Sequence, residues 1–281
     1  MEIDVSTRLG ALSHPQRLKV FRLLMRRYPD HVSAGELAKA LDIRPSTLSS
    51  YLTSLMHSGM VAQQRVGTSL RYAVAMTEVC RTLDYLVLDC CRSRPEICTA
   101  LRAFPDQANQ VVDDSRYKVL FICTGNSARS IFAESILRQE AGNRFKAHSA
   151  GTRPHSQPNP IALKLLRQRQ HDVSTLRSKH LWEFRKPGAP AFDFVFTVCD
   201  QAANEDGPAW SGQPVSAHWG MPDPAGRETT LAENDRAFQQ AYQVLLRRIR
   251  AFAALPVDAM DRPALQQALD DIGRSAREVT P

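Results

Sequence analysis

The sequence predicts an α+β domain followed by an α/β domain with a parallel sheet, and three observations predict it. Apolar residues recur at helical spacing from Ser6 to about Ser58, then give way after Gly59 to two extended runs around a glycine turn. From Lys118 onward, short apolar strands alternate with helical stretches, the pattern of a parallel sheet. Residues 104–116 between them are polar and weakly periodic and read as a linker, so the first domain spans 1–103 and the second 117–255, with 256–281 a C-terminal tail. A chain of 281 residues is long enough for two cores of ordinary size.

In the first domain, breaks at His14-Pro15, Tyr28-Pro29-Asp30 and Asp42-Ile43-Arg44-Pro45 separate four short helices. Pro15 and Pro45 each suit a first helical turn, and Ser33 with Glu36 three residues on forms a capping box. Val61 to Val66 and Leu70 to Val74 flank Gly67 as a β-hairpin, and Thr77 to Cys91 returns to helix before Pro95 ends it. Helices followed by a hairpin in this order describe a winged helix-turn-helix. Leu48, Leu52 and Leu55 point inward at helical spacing, which leaves Ser46, Thr47, Ser49, Ser50 and Tyr51 on the outer face, with Arg65 and Arg71 flanking the wing tip. Such groups suit base edges and phosphates of a major groove. The same shape can instead serve protein contacts. Residues 1–105 hold 14 Lys/Arg against 9 Asp/Glu, a surplus that fits nucleic acid but also an ordinary solvated surface.

In the second domain, strands are predicted at Lys118 to Cys123, Phe145 to Ala150 and Phe192 to Cys199, with helices from Ser130 to about Ala141, Pro160 to Gln170 and Gln239 to Ala254. The tail carries one more helix, from Pro263 to Arg277, of no evident purpose. Hydrophobic residues make up 43% of the chain and no apolar run nears the roughly 18 residues that span a bilayer. No apolar stretch of signal-peptide type follows Met1, so a globular cytoplasmic protein with no membrane partner is expected. In that compartment the six cysteines (80, 90, 91, 98, 123 and 199) read as reactive thiols or metal ligands before disulfides.

One segment carries chemistry by itself. Cys123, Thr124, Gly125, Asn126, Ser127, Ala128, Arg129 and Ser130 follow an apolar strand and open a helix, where backbone N–H groups and the helix dipole favour an anion. Gly125 lets the backbone curl so that successive amides point inward, and Arg129 offers a planar fork to two oxygens. The positive field should lower the Cys123 thiol well toward neutrality, making it a nucleophile toward a tetrahedral, phosphate-like oxyanion. The plainer alternative is a buried strand-end cysteine beside an unrelated loop. Asp223, in Pro222-Asp223-Pro224, is placed to protonate the leaving oxygen, or else merely forms a turn.

The loop, with His148-Ser-Ala-Gly-Thr152 and Ala217-His-Trp-Gly-Met-Pro-Asp-Pro-Ala225, resembles the low-molecular-weight tyrosine phosphatases and, within them, the arsenate reductase branch, over nearly all of residues 117–255. The resemblance implies arsenate as substrate and arsenite as product. It further implies Cys123 as nucleophile, Arg129 as oxyanion ligand, Asn126 and Ser130 as loop-orienting residues, and Asp223 as general acid. A reductase needs a second thiol to release arsenite, and Val198-Cys199-Asp200 is similar to the family's redox segment, with Cys199 at the resolving position. The family often has a further cysteine just before a proline, where Gly207 stands here. The implied route is therefore shorter: a Cys123–Cys199 disulfide reduced by an outside partner, or attack on the adduct by glutathione with glutaredoxin. Thioredoxin is the other reductant in view, and no tightly bound cofactor is implied. Cys199 as a small buried hydrophobe, a phosphatase, and a regulator binding oxyanions without turnover are the alternatives.

Leu9-Gly-Ala-Leu-Ser-His-Pro-Gln-Arg-Leu-Lys-Val-Phe21 and the recognition segment resemble the ArsR/SmtB repressors over residues 6 to about 100, which implies a homodimer on operator DNA, released by a metal ion. Many arsenic sensors of that family carry a Cys-Val-Cys motif before the recognition helix, and Ser33 to Leu41 holds no cysteine. Cys90, Cys91 and Cys98 instead gather three soft thiols around a helix end, suited to As(III) or Sb(III) as inducer. Buried thiols in a dimer-interface helix are the other reading. His14 and His57 read as surface or capping residues.

Overall fold

The computed structural model describes residues 2–91, 116–186, 188–205, 210, 214–225 and 231–275. It divides into two compact units, Met1–Asn109 and Gln110–Pro281. The linker predicted over 104–116 lies, apart from Arg116, outside the described residues.

Unit one opens with α1 (Glu2–Leu12), α2 (Pro15–Arg27), α3 (Ala34–Leu41) and α4 (Pro45–His57). Pro15 and Pro45 occupy first-turn positions, and the Ser33 hydroxyl accepts from the Glu36 N–H at 3.2 Å, so these helices begin where local chemistry says they must. His14 caps α2, its ring nitrogen accepting from the Gln16 N–H at 3.2 Å. The hairpin β2 (Val61–Val66) and β3 (Ser69–Val74) follows, with Gly67 in the left-handed region at φ +61°. Its sheet has a third strand that the sequence reading missed, the two-residue β1 (Val32–Ser33), antiparallel to β3. Leu48, Leu52 and Leu55 of α4 are fully buried with Leu23, Leu24 and Leu37, as their spacing predicts. After α5 (Met76–Asp84) the predicted straight helix widens into a π-helical turn from Tyr85 to Cys90.

Unit two is a four-stranded parallel sheet of β4 (Tyr117–Cys123), β5 (Phe145–Gly151), β6 (Phe194–Thr197) and β7 (Val215–His218), in the order β5-β4-β6-β7. Helices α6 (Arg129–Ala141), α7 (Pro160–Gln168), the short α8 (Asp200–Asn204), α9 (Leu231–Ala253) and α10 (Arg262–Ser275) complete it. The core is aromatic: Phe196 stacks on Trp219 at 4.1 Å between ring centres, and Phe121 and Phe252 close around them. β7 and α8 were not foreseen, and α9 begins eight residues earlier than Gln239.

The helix expected from Pro263 in the tail is present as α10, over Arg262–Ser275. Leu265, Leu269 and Ile272 of α10 are buried in the same core as the sheet, because α10 is amphipathic and its apolar face covers β7.

Strand order decides where chemistry belongs. The chain leaves β4 toward β5 on one side, then crosses to β6 on the other. The carboxyl ends of β4 and β6 therefore flank the crevice where an open parallel sheet places its ligands. Cys123 ends β4 and Cys199 follows β6 by two residues.

Candidate active site

The loop from Cys123 to Ser130 is held from outside by its carbonyls. The N–H groups of Thr152, Arg153, His155 and Asn159 donate to the carbonyls of Cys123, Thr124, Gly125 and Ser127, at 3.1, 2.9, 2.8 and 2.8 Å. The Ser178 hydroxyl donates to Asn126 O at 2.8 Å, and Ala128 O receives the helical N–H of Phe132. With each carbonyl from 123 to 128 taken by this frame, the amides are what the loop offers an anion. None of this frame follows from the loop's own sequence.

Asn126, fully buried, takes the left-handed conformation at φ +42°, which asparagine tolerates better than most residues. The left-handed residue of the loop is thus Asn126, while Gly125 lies against the exposed His155 ring. A side-chain carbon there would stand 2.5 Å from the His155 ring. Gly151 is tighter still, because the atom in the way is the backbone oxygen of Thr124, at 2.6 Å.

The Asn126 amide fixes the site's proton geometry. Its Oδ1 accepts from the Lys179 N–H at 2.6 Å, which leaves Nδ2 to donate to Ser130 Oγ and to Ser149 Oγ, both at 2.8 Å. Ser149 then donates to Glu134, which Lys179 neutralises at 3.0 Å and Arg138 at 2.6 Å. Ser130, accepting from Asn126, shares a hydrogen bond with Cys123 Sγ at 2.9 Å, which its hydroxyl donates once the thiol is ionised, and the Asn126 N–H reaches the same sulfur at 3.2 Å. Asn126 and Ser130, the residues expected to orient the loop, are thus hydrogen-bonded to each other and each to Cys123. Glu134, Ser149 and Lys179 were missed: they lie on separate elements, and only the resembling His148–Thr152 stretch pointed toward them.

The predicted lowering of the thiol is not what the structure gives. Burial, and then the second thiol of Cys199, push Cys123 up from its ordinary value, while the Ser130 hydroxyl and the more distant Arg129 charge pull it back. Arg129 is turned to Asp223, Nη2 donating to Oδ2 at 2.6 Å and Nη1 to Met221 O at 3.3 Å. The residues expected to be oxyanion ligand and acid are therefore paired with each other, Arg129 largely buried and Asp223 exposed. A consequence can be measured. Deprotonation of Cys123 rises with pH, and Ser130→Ala removes a group that lowers its pKa, so the midpoint of iodoacetamide alkylation against pH should move upward; an unmoved midpoint would remove Ser130 from thiol activation.

Cys199 is buried and caps α8, its sulfur accepting from the Ala202 N–H at 3.4 Å, with the Thr124 hydroxyl 3.4 Å away. Ile122 lies opposite Thr197 in the β4/β6 register, so the two strand ends carry Cys123 and Cys199 to the same crevice. Thr124, Ser127 and Ala128 make up the rest of the loop, Thr124 and Ser127 half-buried and Ala128 buried. Gly207 lies outside the described residues.

In unit one, Ser46, Thr47, Ser49 and Ser50 are exposed along α4, as are Arg65 and Arg71 on the hairpin. Tyr51 is half-buried with its ring 5.1 Å from His14, which leaves it less free than its neighbours. Cys90 is exposed and Cys91 half-buried at the end of the π-helical turn, and Cys98 lies outside the described residues. No helix among the described residues is long and apolar enough to cross a membrane.

Residues 118–262 match the family model of low molecular weight phosphotyrosine protein phosphatases, and residues 12–64 that of a helix-turn-helix domain. The arsenate reductase of Bacillus licheniformis is 34% identical over 139 residues, covering 50% of this chain and 96% of that protein. The arsenate reductase of Bacillus subtilis is 33% identical over 135 residues, covering 48% and 94%. Among solved structures, the arsenate reductase of Archaeoglobus fulgidus superposes with a TM-score of 0.38 at 23% identity, over 47% of this chain and 98% of that one.

Proposed function

The chain belongs to the low-molecular-weight phosphotyrosine protein phosphatase family, joined to an N-terminal helix-turn-helix domain, and from that premise we propose that it is an arsenate reductase fused to an arsenic-responsive repressor. The observation that carries the reductase reading is a second thiol, Cys199, at the neighbouring strand end beside the nucleophile's loop. A phosphatase needs no such group.

The Cys123 thiolate attacks the arsenic of arsenate, whose oxygens are held by the loop amides and by Arg129 as its fork leaves Asp223. Asp223 protonates the departing oxygen, so that a Cys123–arsenic bond replaces an As–O bond and water leaves. The Cys199 thiolate then attacks Cys123 Sγ: the S–As electron pair stays on arsenic, which falls from As(V) to As(III) and departs as arsenite, and the two sulfurs become a disulfide. An external thiol, from glutathione with glutaredoxin or from thioredoxin, returns the disulfide to two thiols. The test is arsenite production from arsenate with each reductant, set against hydrolysis of an aryl phosphate. Hydrolysis without arsenite would favour the second reading, a phosphatase, which glycine at position 207 also favours by removing the family's usual third thiol.

For unit one, exposed Ser46, Thr47, Ser49 and Ser50 on α4, with Tyr51 beside them and Arg65 and Arg71 on the wing, support operator binding through a major groove and its flanking phosphates. Exposed Leu9 on α1 and Leu83 and Leu88 on the α5 segment, two helices tied by Arg8 to Glu78 and Thr82, support a homodimer across that face. Cys90, Cys91 and Cys98 would bind As(III) or Sb(III) as three thiolates, the arsenite made by one domain serving as inducer of the other. Cys90→Ser, Cys91→Ser and Cys98→Ser should each abolish As(III)-induced release from operator DNA while leaving operator affinity intact. Unchanged release in all three would remove the site.

A further inference from the structure

We infer that α10, together with Arg248 of α9, is the positioning device for the Asp223 loop, so that a helix following the family's matched region governs the acid step. The inference rests on Asp223 being the acid.

The loop from Trp219 to Asp223 leaves the end of β7 with little regular structure of its own. Its base is gripped from two sides. Arg248, buried to 2% exposure on α9, donates from Nη1 to Trp219 O at 2.8 Å and to Gly220 O at 3.4 Å, and from Nη2 to Gly273 O of α10 at 2.8 Å. One guanidinium thus ties the loop's first two carbonyls to the C-terminal helix. The Trp219 indole N–H, in turn, donates to Leu269 O at 3.0 Å. Gln266 Nε2 reaches Ser216 O on β7 at 2.9 Å.

Contact at Gly273 is tight enough that an added side chain would press on its neighbours. A carbon added there would lie 3.0 Å from His218 O and 3.0 Å from Trp219 Cδ1, both on the chain entering the loop. Two residues beyond Trp219, Met221 O accepts from Arg129, and two further on, Asp223 pairs with the same guanidinium. A shift at Gly273 therefore reaches the acid carboxyl through the short run from Trp219 to Asp223, which Arg248 holds at one end and Arg129 at the other. Buried arginine is costly unless its donors are satisfied, and here both terminal nitrogens are spent on loop and helix carbonyls. That use is more specific than packing requires.

The test compares Gly273→Val, Asp223→Asn and the two combined in the full chain, with Gln267→Ala on the exposed face of α10 as control. Three quantities are read: the single-turnover rate of arsenite release, protection of Cys123 from iodoacetamide by arsenate, and amide exchange over residues 219–223. Misplacing a catalytic group by about 1 Å can cost on the order of 10²-fold, so G273V should lose roughly that much in rate. Arsenate protection should stay unchanged, exchange at 219–223 should rise, and the combined variant should be no slower than D223N. Q267A should match the parent. Losses that multiply in the combined variant, or a parent-like rate in G273V while D223N is slow, overturn the inference and leave the acid assignment standing. A parent-like rate in D223N overturns the acid assignment and the inference with it. Should G273V not fold, Arg248→Lys and Arg248→Gln are read by the same quantities: Lys, which keeps one charged donor, should fall between the parent and Gln, and equal rates in all three overturn the inference.

Discussion

Cys123→Ser lowers arsenite formation by at least about 10⁴-fold, the scale on which enzymes lose rate with their nucleophile. The reason is specific to this site. Each carbonyl from Cys123 to Ala128 is held from outside that run, and Asn126 is locked by Lys179, Ser130 and Ser149, so the oxyanion cradle survives the change. A serine hydroxyl at 123, buried as the thiol is, ionises far less readily and cannot form the sulfur–arsenic bond from which arsenite is later released. Phosphate binding measured by titration calorimetry should therefore be retained while arsenite production vanishes. Persistent turnover in C123S would mean that another group attacks arsenic.

Cys199→Ser separates the two chemistries that this fold can perform. Aryl phosphate hydrolysis, for which the proposed roles require only Cys123, Arg129, Asp223 and water, should continue, whereas arsenite release should fall sharply. A thiol held beside its target acts with an effective molarity that can reach about 10⁵ M or more, against millimolar thiol from solution, so the loss should be at least on the order of 10²-fold. The sulfur that is lost lies 3.4 Å from the hydroxyl of Thr124, the residue next to the nucleophile. If C199S turns arsenate over at the parent rate, external thiol attacks the adduct directly and Cys199 is a buried cap for α8.

What the sequence made legible is what is encoded locally. Pro15, Pro45 and the Ser33/Glu36 pair start helices by their own chemistry, and the strand-loop-helix around Cys123 announces an anion site through one short run of residues. What it hid depends on contacts made across the sheet. β1 is two residues long and exists because β3 pairs with it, and β7 alternates too briefly to read as a strand. The charge network of Glu134, Ser149 and Lys179 behind Asn126 is assembled from three separate elements. The tail helix has an apolar face whose destination, Trp219 and the acid loop, no periodicity can name. The thiol's raised pKa belongs to the same class. The positive field and a buried strand end are both visible in the sequence, but which of them outweighs the other is not.

Reduction, as opposed to oxyanion binding, is the claim on which the account turns, and a single turnover tests it most directly. Fully reduced protein is mixed with a slight excess of arsenate and no external thiol, arsenite is quantified, and the cysteine peptides are mapped by mass. The account predicts about one arsenite per chain, formed together with a Cys123–Cys199 disulfide. Arsenite absent, with Cys123 and Cys199 both still alkylatable, would contradict it.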